Sequence, residues 1–178
     1  MTKLDLSSNY FDLFGLAIRF EIDEPQLAKQ FRHLQQQLHP DRFVARPDAE
    51  RRWSMQAASL VNQAHDTLRN DLSRATYLLE MNGINIDEET DTQMDPMFLM
   101  EQMELREALE IAEGASDPET ALSKLRRQIK VSVVEQKDAF SKAMVSQDYA
   151  SARVTTRQWQ FLDKLLKEAK RIEERLDV

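Results

Sequence analysis

The sequence predicts an all-α chain of two domains, and three observations point there. Apolar residues recur at helical spacing along most of the chain, while no stretch alternates apolar and polar residues as a half-buried strand would. An acidic, aperiodic segment near the middle separates two sets of helices. Leu, Ile, Val and Phe make up 44 of the 178 residues, enough for packed cores rather than disorder.

The elements follow in order. Tyr10 to Phe14 is a short amphipathic piece. Leu27, Phe31, Leu34 and Leu38 are spaced 4, 3, 4 and form one helical stripe. Asp23 and Gln26 are placed as a capping box at its start, with Pro25 accepted in the first turn. Pro40 ends that helix, because proline has no N–H and restricts the residue before it. Ala57, Val61, Ala64 and Leu68 repeat the 4, 3, 4 spacing. The two helices are expected to pack antiparallel, joined by residues 39–47, with a further helix over 72–81. Residues 82–95 carry Asp87, Glu88, Glu89, Asp91 and Asp95 without periodicity and read as a linker. Asp95-Pro96 and Asp117-Pro118 are cap-and-proline starts for helices over 96–113 and 118–146. A last helix over 149–177 aligns Trp159, Leu162, Leu166, Ala169, Ile172 and Leu176. Gly15, Gly83 and Gly114 each stand where a left-handed C-cap residue belongs. The expected division is residues 8–82, a linker over 83–95, and a three-helix antiparallel bundle over 95–178.

Composition excludes several classes. The chain has no Cys, which removes disulfides, thiolate metal sites and a Cys nucleophile. Three glycines leave no Gly-rich phosphate loop. A net charge of −7 argues against general nucleic-acid binding. No apolar run is long enough to span a membrane, and the N-terminus lacks a targeting pattern, so a cytoplasmic location is expected. His33, His39 and His65 are the only histidines, too few and too badly phased for a catalytic metal set. No enzymatic centre, metal or cofactor is expected.

Against that acidic background, residues 26–46 carry four basic side chains and one acid, for +3. The run ends at His39-Pro40-Asp41. Pro40 stiffens the backbone, so His39 and Asp41 are presented with little ordering entropy left to lose on docking. A solvated helix face followed by a helix stop is the competing account.

Three segments then act together: Tyr10-Phe11-Asp12-Leu13-Phe14-Gly15-Leu16; the run from Gln30 to Phe43 through His39-Pro40-Asp41; and Val61-Asn62-Gln63-Ala64-His65-Asp66-Thr67-Leu68. In order and spacing they resemble a J domain. The resemblance implies docking on a DnaK-type ATPase chaperone and stimulation of its ATP hydrolysis. It makes His39, Pro40 and Asp41 the trigger, and Lys29, Arg32 and Arg42 a basic face for an acidic chaperone surface. Arg42 stands where many J domains have Lys, an exchange that keeps the charge and changes the hydrogen-bond geometry.

In the second half, the helix from Pro96 has apolar residues on two faces. At roughly 100° per residue, Phe98, Leu105, Leu109 and Ala112 share one side, and Leu99, Met100 and Met103 lie on the other, edged by Glu104 and Glu107. The first stripe can pack the bundle. The second either recognises a partner, for which Met is suited, or covers another part of the chain. Residues 87–113 hold ten acids and one base, for −9, so the chain is bipolar, which suits two different partners; a solvated acidic linker beside an ordinary helix is the competing account.

Phe98-Leu99-Met100-Glu101-Gln102, Glu104-Leu105-Arg106-Glu107 and Phe161-Leu162-Asp163-Lys164-Leu165 are similar to the HscB family of J-type co-chaperones in iron–sulfur cluster assembly. The likeness runs from Tyr10 to the end. It implies a J domain followed by a bundle that binds an IscU-type scaffold and presents it to an HscA-type chaperone. It makes Leu99, Met100, Met103, Glu104, Glu107 and Phe161 the scaffold-binding patch. Met103 stands where Leu is common, and Ile111 sits near where the family can carry another acid. The absence of a Cys-rich zinc region and a transit peptide implies the bacterial form. The rival readings are a J-domain co-chaperone for a different client and a helical adaptor without a chaperone partner.

Overall fold

The computed structural model describes residues 4–86 and 96–176. Most of the expected linker, 87–95, lies outside the described residues, and so does Asp95 as a helix cap. The fold is all-α. Its helices are α1 Tyr10–Leu13, α2 Glu24–Leu38, α3 Asp48–Arg69, α4 Asp71–Met81, α5 Pro96–Glu113, α6 Pro118–Val145 and α7 Tyr149–Leu176, with a 3-10 turn over Pro40–Phe43. The chain divides into two units between Leu78 and Leu79, inside α4.

In the first unit, α2 and α3 run antiparallel. Gln35 Nε2 lies 3.5 Å from Asn62 Oδ1, and one turn earlier Phe31 stacks on His65 with ring centroids 3.7 Å apart. The two 4, 3, 4 stripes meet at this seam. Ala57, Val61, Ala64 and Leu68 are buried on α3, and Leu27 and Leu38 on α2, with Phe31 and Leu34 half-buried. Phe11, Phe14 and Phe20 close one end. Asn9 Oδ1 caps α1 by accepting the Asp12 N–H at 3.0 Å. Asp23 Oδ1 caps α2 by accepting the Gln26 N–H at 2.8 Å. The capping box is only half formed: the Gln26 amide donates to Gly15 O at 2.8 Å, tying α2 to the turn after α1.

Arg74 fastens the Phe20 end of this unit. It is buried on α4, donates from Nε to Phe20 O at 2.7 Å and from Nη1 to Leu68 O, and pairs through Nη2 with Asp71 at 2.5 Å. Its guanidinium also lies 5.0 Å from the Phe20 ring centroid. One fork thus joins the α1–α2 loop, the C-terminus of α3 and the start of α4.

The second unit is a three-helix bundle. The pairs Phe98–Phe161 and Glu113–Arg175 make α5 parallel to α7. The short turn at 146–148 and the Arg126–Glu173 pair make α6 antiparallel to α7. The core joins Phe98, Leu109 and Ala112 of α5, Leu122, Leu125 and Ile129 of α6, and Phe161, Leu162, Leu165, Ala169 and Ile172 of α7. Leu176 does not complete the α7 stripe: it is exposed, beyond the end of that core.

Gly15 (φ +62°) and Gly83 (φ +73°) take the left-handed conformation expected of them. Each closes a Schellman motif, with Leu16 N–H on Phe11 O and Ile84 N–H on Leu79 O. Gly114 does not, because its N–H continues the α-helical pattern to Glu110 O at 3.1 Å. The third such motif sits at Gln147 (φ +56°), with Asp148 N–H on Ala143 O. A residue with a Cβ holds that strained position because the motif satisfies two helix-end carbonyls.

Arg74→Met leaves the Phe20 and Leu68 carbonyls without their donor and is expected to cost about 3 kcal/mol in urea unfolding of the full chain. A loss under about 1 kcal/mol would show that the fork contributes little. His65 gives a pH prediction. Burial first, then the Arg69 charge, holds its pKa below the ordinary 6.5, against the opposing pull of Asp66. The unfolded imidazole therefore binds its proton first. Stability is full above pH 6.5, falls as pH drops toward the lowered folded pKa, and flattens below it. Comparing melting temperatures of native chain and His65→Gln from pH 7.5 to 5 tests this, since the variant should lose that part of the slope.

Candidate functional site

The first candidate site lies where α2 stops. Pro40 holds His39 in an extended backbone conformation, φ −56° and ψ 132°. The chain then tightens into the 3-10 turn, with Arg42 N–H on His39 O at 3.0 Å. His39 Nδ1 accepts the Asp41 N–H at 3.3 Å, and Asp41 Oδ2 lies 3.5 Å from the same nitrogen. These contacts exclude each other: Nδ1 accepts the backbone N–H only where it bears no hydrogen, and it faces the carboxylate as a donor only where it bears one. Both side chains point to solvent, His39 60% and Asp41 85% exposed. The corner is thus fixed in backbone and open in side chain, which suits a docking element.

Lys29, Arg32, Pro40 and Arg42 are exposed as well. Lys29 and Arg32 line a shallow cleft on α2 with His33 and Gln36. A groove between α2 and α3 runs from Arg32 past Gln36 to His39 and Pro40, with Ala58 and Val61 on its other wall. Arg42 has a second task that the sequence did not reveal. Its Nη1 donates to Gln36 O at 3.3 Å, satisfying a carbonyl in the last turn of α2 and placing positive charge at that helix end.

The second candidate site is the outer face of α5. Its two stripes separate as their spacing requires. Phe98, Leu109 and Ala112 are buried, while Leu99, Met100 and Met103 are 43%, 62% and 72% exposed. Glu104 and Glu107 are exposed among them. Two further apolar side chains, Met97 and Ile111, are also exposed on α5. The same helical projection finds Ile111, which falls about 120° round from Leu99, between Met100 and Glu104.

Phe161 departs from the expected patch. It is 9% exposed, its ring meets Phe98 edge-on with centroids 5.9 Å apart, and Arg106 lies 6.0 Å from its centroid. An aromatic ring on the inner face of α7 is claimed by the bundle core, so Phe161 buttresses α5 from beneath rather than forming part of the exposed ledge. Among the described residues, no group of three or more His, Asp or Glu side chains is arranged to hold a metal ion, and no helix is long and apolar enough to cross a membrane.

Known proteins share this architecture. The family model described as the HSCB C-terminal oligomerisation domain matches residues 94–170. The co-chaperone protein HscB homologue of Vibrio atlanticus is 41% identical over 94% of this chain and 98% of its own length. The corresponding protein of Photobacterium profundum is 42% identical over 93% and 97%. Among solved structures, chaperone HscB from Vibrio cholerae superimposes with a TM-score of 0.85 at 38% identity, covering 95% of this chain and 99% of that one. Human co-chaperone protein HscB superimposes with a TM-score of 0.88 at 30% identity, covering 98% and 86%. With relatives at this identity over nearly their whole length, the chain belongs to the HscB family of J-domain co-chaperones.

Proposed function

We propose that this protein stimulates the ATPase of an HscA-type chaperone of the DnaK class and delivers an IscU-type scaffold to it during iron–sulfur cluster assembly in the bacterial cytoplasm. The J domain of this reading spans 8–82, the linker 83–95 and the scaffold-binding bundle 95–178. The observation that carries it is the exposed His39-Pro40-Asp41 corner at the end of a basic helix, in a chain that also exposes an acid-rimmed apolar face on α5.

In this reading His39, Pro40 and Asp41 engage the chaperone, and Lys29, Arg32 and Arg42 steer and align the approach. No bond is made or broken by these residues. The protein acts by binding more tightly to conformations of the chaperone on the way to hydrolysis, since only differential affinity shifts such an equilibrium. Leu99, Met100 and Met103 supply apolar area for the scaffold, and Glu104 and Glu107 set register against basic groups. Phe161 keeps α5 in place behind them. No bound cofactor or metal is needed for either step.

The deciding experiment measures ATP turnover of an HscA-type chaperone with this protein and an IscU-type scaffold, added singly and together. Stimulation beyond the sum of the separate effects supports the proposal, and purely additive effects would remove scaffold delivery from it. His39→Gln or Asp41→Asn should abolish most of the stimulation. Both side chains are exposed, so melting should change by no more than about 0.5 kcal/mol in stability. Stimulation that survives both changes would retire the trigger role. Met100→Ala and Met103→Ala should each cost about 1–3 kcal/mol of scaffold affinity, while stimulation without scaffold persists. Calorimetric titration checks this, and undiminished affinity in the double variant would move the scaffold site off α5. Phe161→Ala is the wrong probe, because emptying its core position would cost about 3–5 kcal/mol of stability.

A further inference from the structure

Methionine is spread unevenly along the chain. Four of its eight methionines, Met94, Met97, Met100 and Met103, fall within ten residues at a constant spacing of three. Met94 lies outside the described residues. The other three follow one another on α5 and are 78%, 62% and 72% exposed. At about 100° per residue, each stands about 60° round from the next and about 4.5 Å along the axis. Residues three apart on a helix are surface neighbours, with Cβ atoms about 5–6 Å apart. Met100 therefore has a thioether within reach on each side. The side chain is unbranched and turns about three bonds, so neighbouring sulfurs can face one point. Apolar recognition alone does not call for this row, because Leu supplies similar area and loses less side-chain freedom on ordering.

We propose that Met97, Met100 and Met103 bind one soft monovalent cation of the Cu(I) class, with Met100 as the shared ligand and a neighbouring sulfur on either side. Thioethers select Cu(I), whereas Mg and Ca take oxygen donors. The chain has no Cys, so methionine supplies its only sulfur donors and no thiolate competes for a soft ion. Thioethers are neutral, so a bound cation keeps its charge and needs compensation nearby. The sequence provides it in step with the sulfurs: Glu101, Glu104 and Glu107 each stand four residues after one of the three methionines. Residues four apart are also surface neighbours on a helix, so every sulfur has a carboxylate one turn on. All three carboxylates are exposed, and they draw a cation to the row without having to ligate it.

The donor type sets the behaviour of such a site. Imidazole must lose its proton to bind a metal, so a histidine site weakens as pH falls, whereas a thioether carries no proton to lose. The three histidines, His33, His39 and His65, all lie in the first unit. Retention of the ion at low pH therefore separates the α5 row from them. Met100 and Met103 also belong to the face proposed for the scaffold, so cation and scaffold exclude one another there. That consequence rests on the proposed function. The metal site does not, because its test uses neither chaperone nor scaffold.

Ag(I), added as the nitrate in chloride-free buffer, is the probe, since it is soft and monovalent like Cu(I) and needs no reductant. Calorimetric titration of the full chain should show one Ag(I) per chain. The methyl NMR signals of Met97, Met100 and Met103 should move, and those of Met55, Met81 and Met144 should stay. Met100→Leu should weaken binding by about tenfold or more, and Met97→Leu or Met103→Leu by less, because one neighbour of Met100 remains. The triple leucine variant should bind no Ag(I), and it keeps helix propensity and side-chain volume, so it stays folded. Met55→Leu, exposed on α3, should bind as the native chain does. Lowering the pH from 7 to 5 should change the affinity by less than about threefold. Cu(I) under ascorbate, read by competition with bicinchoninate, should follow the same order of variants. The proposal is overturned by an absence of saturable Ag(I) uptake up to about 1 mM, or by a triple variant that binds like the native chain. Methyl shifts spread over all the methionines, loss of affinity at pH 5, or Ag(I) binding without Cu(I) binding would overturn it as well.

Discussion

The first unit depends on a constraint at one residue. Pro40 carries no N–H and disfavours helical conformation at His39, so α2 cannot extend past Leu38. The chain must leave the helix axis there, and it does so as an extended residue followed by one 3-10 turn. The Leu27–Leu38 and Ala57–Leu68 stripes then hold both flanks of the turn against each other. A polar corner at this point would be mobile if its flanks were free. Here the apolar seam fixes the flanks, and the proline, the His39 cap and the Arg42–Gln36 contact fix what lies between. The corner spends almost no polar capacity on its own stability, which leaves the His39 and Asp41 side chains available to a partner.

In the bundle, the same economy works through helix geometry. A helix in a three-helix bundle needs about a third of its circumference for the core. On α5 that third is taken by Phe98, Leu105, Leu109 and Ala112. Leu99, Met100, Met103 and Ile111 therefore have no structural role that their burial would reveal. Apolar side chains kept in water, interleaved with carboxylates that maintain solubility, make sense as a recognition face. The buried Phe161–Phe98 contact beneath makes that face rigid, so less ordering has to occur on binding.

Much of this was legible in the sequence, and the exceptions share a cause. Periodicity located α2, α3 and α7, because burying an apolar stripe drives helix packing and leaves a direct trace in residue spacing, while the Asp117-Pro118 start marked α6. The His39-Pro40-Asp41 corner was legible because proline acts locally. What escaped were contacts between residues distant along the chain. Arg74 looks like any surface arginine until Phe20 O and Leu68 O are brought to it. Gln26 could accept from the Asp23 N–H in a capping box, and only the folded position of Gly15 shows that its amide instead donates to Gly15 O. Phe161 is assigned to the patch by resemblance alone, although its phase on α7 sets it beside Leu162 and Leu165 in the core. Gly114 and Gln147 show the limit of composition: a helix end is decided by whether its carbonyls find donors, and Asp148 provides one where no glycine stands.

Charge links the two halves in a way that packing does not. Residues 26–46 carry +3 while residues 87–113 carry −9. If both faces served one partner, that partner would need complementary acidic and basic surfaces spaced to match a chain divided into two separate units. Two partners remove that requirement, since each has only to be opposite in sign to the face it meets. The arrangement also guards against exchange. An acidic surface is repelled by the carboxylates of α5, and a basic surface is repelled by Lys29 and Arg32, so ligands of opposite sign are sorted between the two faces. Such repulsion costs the folded protein little, because the charges lie in water. It yields discrimination that apolar contacts alone, being tolerant of shape, would not provide.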